Sequence, residues 1–171
     1  MGDFISGYGL INLVDRNEPV KCLEIGCQYG NTSLHLLRNL PYLTLYCVDP
    51  YSYYVDWDGS EVNHDDHAYS VIIDRCKVYG NRFNIIKKRS DDAVNLFEDG
   101  FFDMIFIDGL HTYDQVKADC DNYYSKLKTG GVFSGHDYNI IEGVKRAVDE
   151  FADKCNKKVQ FTNNDVWYFY K

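Results

Sequence analysis

The sequence predicts an α/β fold, a doubly wound and mostly parallel sheet with helices on both faces. Three observations predict it. A glycine turn joins an apolar strand to a helix within Lys21–Leu37, five strand–helix units follow one another, and the chain closes on two strand-like runs flanking Asn163-Asn164-Asp165. Alternating elements make parallel strands joined by right-handed crossovers, and a terminal hairpin leaves its last strand antiparallel.

Each element has its own signal. Within residues 1–19, Leu10, Ile11, Leu13 and Val14 fit one face of a short amphipathic helix, although Gly7 and Gly9 weaken its start. Phe4 and Ile5 are further apolar positions there. Arg16-Asn17-Glu18-Pro19 is a polar break, and Val20–Gly26 is the first strand. Gly26 and Gly30 allow a turn that a side chain would forbid or that a ligand must approach closely, and a helix runs from about Thr32 to Leu40, ended by Pro41. Leu43–Val48 is a second buried strand closing on Asp49-Pro50. Residues 51–69 are rich in aromatics and acids with no clear period, so they read as a long loop of the functional kind.

A helix from about Asp65 to Val78 rests on Tyr69, Ile72, Ile73 and Cys76, and Phe83–Lys87 is the third strand. Ser90–Leu96 is a short helix with Asp91 and Asp92 in its favourable first turn. Residues 101–109, FFDMIFIDG, are apolar nearly throughout, as a strand covered on both faces must be. Val116, Cys120, Tyr123 and Leu127 place a helix over Tyr113–Leu127, ended by Gly130-Gly131, before a fifth strand, Val132–Gly135. Ile141, Val144, Val148 and Phe151 share one face of the last helix, and Lys158–Thr162 and Val166–Tyr170 form the hairpin. No repeat or linker divides the chain, so residues 1–171 read as one domain, a size that buries roughly 70% of the unfolded surface.

Composition narrows the function. A net charge of −8 and a pI near 5.0 argue against a nucleic-acid groove, which needs clustered cations. Lys87-Lys88-Arg89, the longest basic run, reads as a solvated strand end, and a neutral or small polar substrate is expected. The six cysteines form no Cys-x-x-Cys pair and several lie on apolar faces, so they read as reduced, buried thiols of a cytoplasmic protein. No membrane span or signal peptide is read; the opening Met-Gly-Asp-Phe-Ile-Ser matches the loose myristoylation pattern only as chance allows.

Four markers stand in order: Glu24-x-Gly26-x-x-x-Gly30, Asp49 after the second strand, IFIDGLH ending the fourth, and GGVFSGHDY through the fifth. Together they resemble class I S-adenosylmethionine-dependent methyltransferases, closest to the small branch with IDG-x-H and GG…HDY segments followed by GVKRAV. The resemblance covers about residues 20–155 and implies a Rossmann-like seven-stranded sheet with an antiparallel final strand. It implies S-adenosylmethionine as cofactor. Gly26 and Gly30 would border its methionine part, with Glu24 beneath the loop, Asp49 on the ribose hydroxyls, Ser90 and Asp91 along the adenine, and Asp108 beside it.

Methyl transfer to oxygen needs an aligned acceptor relieved of its proton, by a base, a metal, or both. Asp108 and His111 follow strand four, and His136 and Asp137 follow strand five, so neighbouring strands bring all four together. Resemblance to metal-dependent O-methyltransferases implies a divalent ion, Mg²⁺ or Mn²⁺, on Asp108, His136 and Asp137, with Asp108 and His111 as the catalytic pair. His136 departs from the oxygen ligands of those enzymes, and imidazole favours transition ions over Mg²⁺. Asp56-Trp57-Asp58-Gly59 and His64-Asp65-Asp66-His67 form a rival cluster, but a calcium loop beginning at Asp56 would need Gly and Glu where Glu61 and His67 stand. Residues 51–67 read instead as a lid whose Tyr51, Tyr53, Tyr54 and Trp57 contact the acceptor.

The expected function is O-methylation of a small hydroxylated acceptor, a sugar or glycan hydroxyl before a phenol, with no nucleic-acid or membrane partner. A homo-oligomer is compatible with the sequence. An NAD-dependent oxidoreductase is disfavoured by the glycine spacing and by the paired IDGLH and GHDY segments. A non-catalytic cofactor-binding domain that regulates or scaffolds is the other alternative.

Overall fold

The computed structural model describes residues 7–63, 66–162 and 165–171. Its strands, in chain order, are β1 (Val20–Ile25), β2 (Leu43–Val48), β3 (Tyr53–Val55), β4 (Glu61–Asn63), β5 (Phe83–Ile86), β6 (Phe102–Ile107), β7 (Leu127–Gly135), β8 (Gln160–Phe161) and β9 (Trp167–Tyr170). The helices are α1 (Gly7–Leu10), α2 (Asn31–Asn39), α3 (Asp66–Cys76), α4 (Ser90–Ala93), α5 (Tyr113–Tyr123) and α6 (Glu142–Lys154). Seven strands form one sheet in the order β5-β2-β1-β6-β7-β9-β8, parallel from β5 through β7, with β9 antiparallel to β7 and β8. The order reverses between β1 and β6, so crossovers leave in opposite directions and open a crevice at the carboxyl ends of those strands.

Strand alternation divides the core into two layers. In β1, Cys22 shares a core with Leu36, Leu37 and Ile72 of α2 and α3, whereas Leu23 and Ile25 share one with Val116 of α5 and Val144 of α6. All six cysteines are free thiols, five of them buried. Among the described residues no helix is long and apolar enough to cross a membrane.

Several boundaries differ from the sequence reading. Among the described residues the N-terminal helix covers Gly7–Leu10, and Leu13 and Val14 lie beyond it. Its glycines are packing sites as well as helix weakeners, since a Cβ on Gly9 would lie 2.4 Å from Thr162 Oγ1. The helix after α4's Ala93 tightens into a 3₁₀ turn, Val94–Leu96. After α3, Lys77–Arg82 is 3₁₀ and broken at Gly80.

The largest difference is at Gly130-Gly131, which does not end a helix. After α5 a 3₁₀ turn, Tyr124–Lys126, delivers Leu127 directly into β7, and the glycines sit within that strand where its pairing with β6 is interrupted. Lys171 completes their pairing: its carbonyl accepts from Gly130 N–H at 3.1 Å and its N–H donates to the Gly131 carbonyl at 3.0 Å. Residues 51–63 are not a featureless loop either, because β3 and β4 form an antiparallel hairpin with Tyr54 opposite Val62. The N-terminal acylation pattern with Phe4 and Ile5, the pair His64-Asp65, and Asn163-Asn164 lie outside the described residues.

Candidate active site

At the end of β1 the chain turns through Gly26, with φ +81°. A Cβ there would stand 2.1 Å from the Asp108 carbonyl oxygen and 2.5 Å from Gly109 Cα. Glycine is therefore demanded by the backbone after β6, a close approach that no local pattern announces. Gly30, φ +73°, precedes α2, and the atoms nearest to an added Cβ there belong to the Ile72 side chain.

Asp49 holds this loop from below. One oxygen, Oδ2, accepts the N–H groups of Cys27 at 3.1 Å and Gln28 at 3.0 Å, while Oδ1 accepts the Tyr51 N–H at 2.9 Å. About four lone-pair sites exist on a carboxylate, so Oδ1 keeps capacity for one more donor, which a ribose hydroxyl could use. Gln28 and Tyr51 both have positive φ, as does Asp137, so backbone strain gathers at this edge of the sheet.

Glu24 is buried, and its Oε2 accepts the Ser33 hydroxyl at 2.5 Å, tying β1 to α2. Burial is the chief cause that pushes its pKa up from 4.5 to about 8; the Ser33 bond opposes this and Asp108 and Asp49 reinforce it. A raised folded pKa means full stability below the unfolded value and loss as pH rises through the folded one. Between pH 6 and 9 the wild type is expected to lose roughly 2–3 kcal/mol from this group, and Glu24→Gln should flatten that slope. Urea melts at both pH values measure it, and equal slopes for the two proteins would refute it.

The loop opens into a cavity of about 330 Å³, within the range of small-molecule sites. Its walls include Gly26, Asp49, Ser90, Asp108, His136 and Asp137, so the two ends of the sequence-read site share one space. Ser90 begins α4 and is held from α5: Gln115 Nε2 donates to its Oγ at 3.2 Å, and Tyr123 donates to its carbonyl at 2.7 Å. Asp91 is not part of the wall; it accepts from Gln115 Nε2 at 3.4 Å beside Arg89. Gln115 and Asp119 stand in the wall instead. Asp119 is buried, which pushes its carboxyl up to about 6, against the hydrogen bonds of Ser90 and Gln115. The apolar face of α5 carries this acid between Val116 and Tyr123, the one sequence sign that it serves the site.

On the other side His111 is ringed by acids. Nδ1 lies 3.0 Å from Asp56 Oδ2, and Nε2 lies 3.0 Å from Asp137 Oδ2 and 3.8 Å from Asp108 Oδ1. Nε2 is buried and, despite the ion-pair distance to Asp137, lacks the alignment of a hydrogen bond. Burial disfavours the charged ring, yet the carboxylates of Asp108, Asp137 and Asp56 outweigh it and raise the His111 pKa to about 11. The imidazole thus holds its proton, and it becomes a base only when positive charge offsets those carboxylates.

Asp108, His111 and Asp137 each offer a ligand atom within 4.8 Å of the others, and a buried nitrogen without a hydrogen-bond partner faces the two carboxylates. That donor set suits a transition ion better than Mg²⁺. Of the ligands read from sequence, Asp108 and Asp137 fall in that group, with His111 as its third member, while His136 stands in the same cavity wall with its Nδ1 3.2 Å from the other Asp137 oxygen. Asp56-Trp57-Asp58-Gly59 closes the β3–β4 hairpin, with Asp56 N–H donating to the Ser60 carbonyl and Gly59 N–H to that of Asp56. Of the four aromatics read as acceptor contacts, Tyr54 lines the cavity, Tyr51 is buried against Cys27 and the Gln28 carbonyl, and Tyr53 and Trp57 are exposed.

Comparison with known proteins agrees with this fold. A family model described as a methyltransferase domain matches residues 23–138. An uncharacterized protein, y4gI of Sinorhizobium fredii, is 27% identical over 136 residues, which is 76% of this chain and 14% of that protein's length. A Staphylococcus aureus protein assigned as a caffeoyl-CoA O-methyltransferase superposes with TM-score 0.72 at 16% identity, over 100% of this chain and 85% of that one. The O-methyltransferase NovP superposes with TM-score 0.69 at 18% identity, over 96% and 76%. A cofactor-bound structure of Rv0187 from MTB superposes with TM-score 0.61 at 13% identity, over 88% and 72%. From the glycine turn, the reversed strand order and the matched residues together, the chain belongs to the methyltransferase-domain family and is a class I S-adenosylmethionine-dependent methyltransferase domain.

Proposed function

We propose that this domain methylates a hydroxyl of a small polar acceptor, a sugar or glycan hydroxyl, using S-adenosylmethionine. The observation that carries the reading is the shared cavity: the glycine loop and the His111 cluster face one space. Carboxylates of Asp49, Asp108, Asp119 and Asp137 give that space a negative field, which suits a cofactor bearing a sulfonium and an ammonium. S-adenosylmethionine supplies the electrophilic methyl group. The O-methyltransferase names of the structural relatives support oxygen as the atom methylated.

Asp49 and the close backbone of the glycine loop position the cofactor in this reading, while Ser90, Gln115 and Asp119 border its adenine. Asp108 and His111 receive the acceptor's proton, and alignment alone contributes up to roughly 7–11 kcal/mol. A divalent ion on Asp108, Asp137 and the His111 Nε2 would be the alternative to that base: it would lower the hydroxyl's pKa, with His111 then serving as its ligand and not taking the proton. The acceptor side is walled by imidazoles and carboxylates, hydrogen-bonding groups that favour a sugar over a phenol. Free, mostly buried thiols support a cytoplasmic setting.

Calorimetry is expected to show micromolar S-adenosylmethionine binding, weakened at least tenfold by Asp49→Ala because both loop and ribose lose their acceptor. Binding of NAD without S-adenosylmethionine would overturn the assignment. Binding without turnover on a panel of sugars, glycans and phenols would leave a non-catalytic cofactor-binding domain.

A further inference from the structure

We propose that Asp56, carried on the β3–β4 hairpin, is the positioning residue of His111 and makes that hairpin a working part of the site. The hairpin lies outside the seven-stranded sheet, and most of it is exposed. Alternation turns Tyr53, Val55 and Trp57 outward and Tyr54 and Asp56 inward, and the Asp56 side chain keeps only 13% of its exposure. This carboxylate makes two bonds to one residue 55 positions away: Oδ1 accepts the His111 backbone N–H at 3.3 Å, and Oδ2 faces Nδ1 at 3.0 Å. Oδ1 also accepts the Trp57 N–H at 2.8 Å, which holds the carboxylate in place on the turn.

A carboxylate can only accept, so Nδ1 must carry a proton whatever the state of Nε2. The ring is thereby oriented with Nε2 turned between Asp108 and Asp137, toward the cavity. An acid behind an imidazole that faces a reacting proton or an ion fixes its orientation and raises its basicity, and losing such a partner commonly lowers activity 10–100-fold. The hairpin and His111 therefore form one device: lifting the hairpin removes the partner that orients the ring. This role rests on the O-methyltransferase reading for its catalytic meaning, but the geometry it claims is testable without turnover.

The experiment compares wild type, Asp56→Ala and Asp56→Asn by ¹⁵N-resolved imidazole NMR, with the His111 signals assigned from His111→Gln. Wild type is expected to show a slowly exchanging, hydrogen-bonded Nδ1–H and a protected His111 amide. Asp56→Ala should lose both, and Asp56→Asn, which still presents a carbonyl oxygen, should restore part of each. In parallel, Asp56→Ala should lower turnover 10–100-fold with S-adenosylmethionine affinity within twofold. An unchanged Nδ1–H signal in a folded Asp56→Ala overturns the proposal, as does unchanged turnover. If wild type turns over no acceptor, the functional reading fails while the NMR comparison still decides the role of Asp56.

Discussion

Gly26→Ala is expected to lower the stability of the domain by about 3 kcal/mol or more, a fall in melting temperature of roughly 6–12 °C, and to abolish measurable cofactor binding. Two causes add. The residue sits at φ +81°, which an L side chain adopts at a cost of about 1–2 kcal/mol, and its Cβ would lie 2.1 Å from the Asp108 carbonyl oxygen. That oxygen belongs to backbone already bonded into the crevice, since Asp108 N–H donates to the Ile25 carbonyl at 2.8 Å. Relief would require β1 and β6 to part where the cofactor loop and Asp108 meet. Gly59 provides the control, because it has the same φ but nothing within 4 Å of an added Cβ. Gly59→Ala should therefore show the conformational cost alone. Differential scanning calorimetry of the two variants checks this, and equal melting temperatures would remove the clash from the explanation.

Asp137→Ala should reduce methyl transfer by at least about 10³-fold while leaving S-adenosylmethionine affinity within about threefold. Asp137 is the acid that both histidines share, at 3.0 Å from His111 Nε2 and 3.2 Å from His136 Nδ1. Burial would raise its pKa, but the imidazoles of His111 and His136 beside it hold it far below the usual carboxylate range. Removing it takes a carboxylate from both rings and deletes one of the three convergent ligand atoms, whereas the Asp56 contact to His111 and the Asp49 contacts to the glycine loop are untouched. Asp137→Asn separates charge from backbone effects, since φ is +61° and Asn tolerates that region as Asp does. It should lose nearly as much activity as Ala with less loss of stability. Treatment of wild type with a chelator should abolish turnover and spare cofactor binding. Turnover within tenfold of wild type in Asp137→Ala would refute the cluster as the reaction centre. Chelator-resistant turnover that His111→Ala nevertheless abolishes would keep the base and discard the ion.

Legibility followed the range of the interaction. β1, the glycine turn and α2 were readable because strand burial, positive φ and helix periodicity are local, and the positions of Asp49, Asp108 and Asp137 follow because strand ends at one edge of a parallel sheet must converge. Gly130-Gly131 misled because a glycine pair ends helices far more often than it interrupts a strand, and only the contacts of Lys171 and Asp103 place the pair inside β7. Residues 53–63 carried too short an alternation to outweigh their polarity, so the hairpin, and Asp56 with it, went unread.

By itself, then, the sequence determined the doubly wound sheet, its antiparallel closing hairpin and the edge at which the site lies, since apolar period and turn chemistry are written residue by residue. Only the tertiary structure decided that Gly26 is required by the Asp108 backbone and that Gln115 and Asp119 stand in the cavity wall. It also decided that His111 converges with Asp108 and Asp137 while Asp56 backs its ring. The physical reason is that these are meetings of side chains and carbonyls from different strands and helices. Their distances are set by packing and ring orientation, which spacing along the chain does not encode.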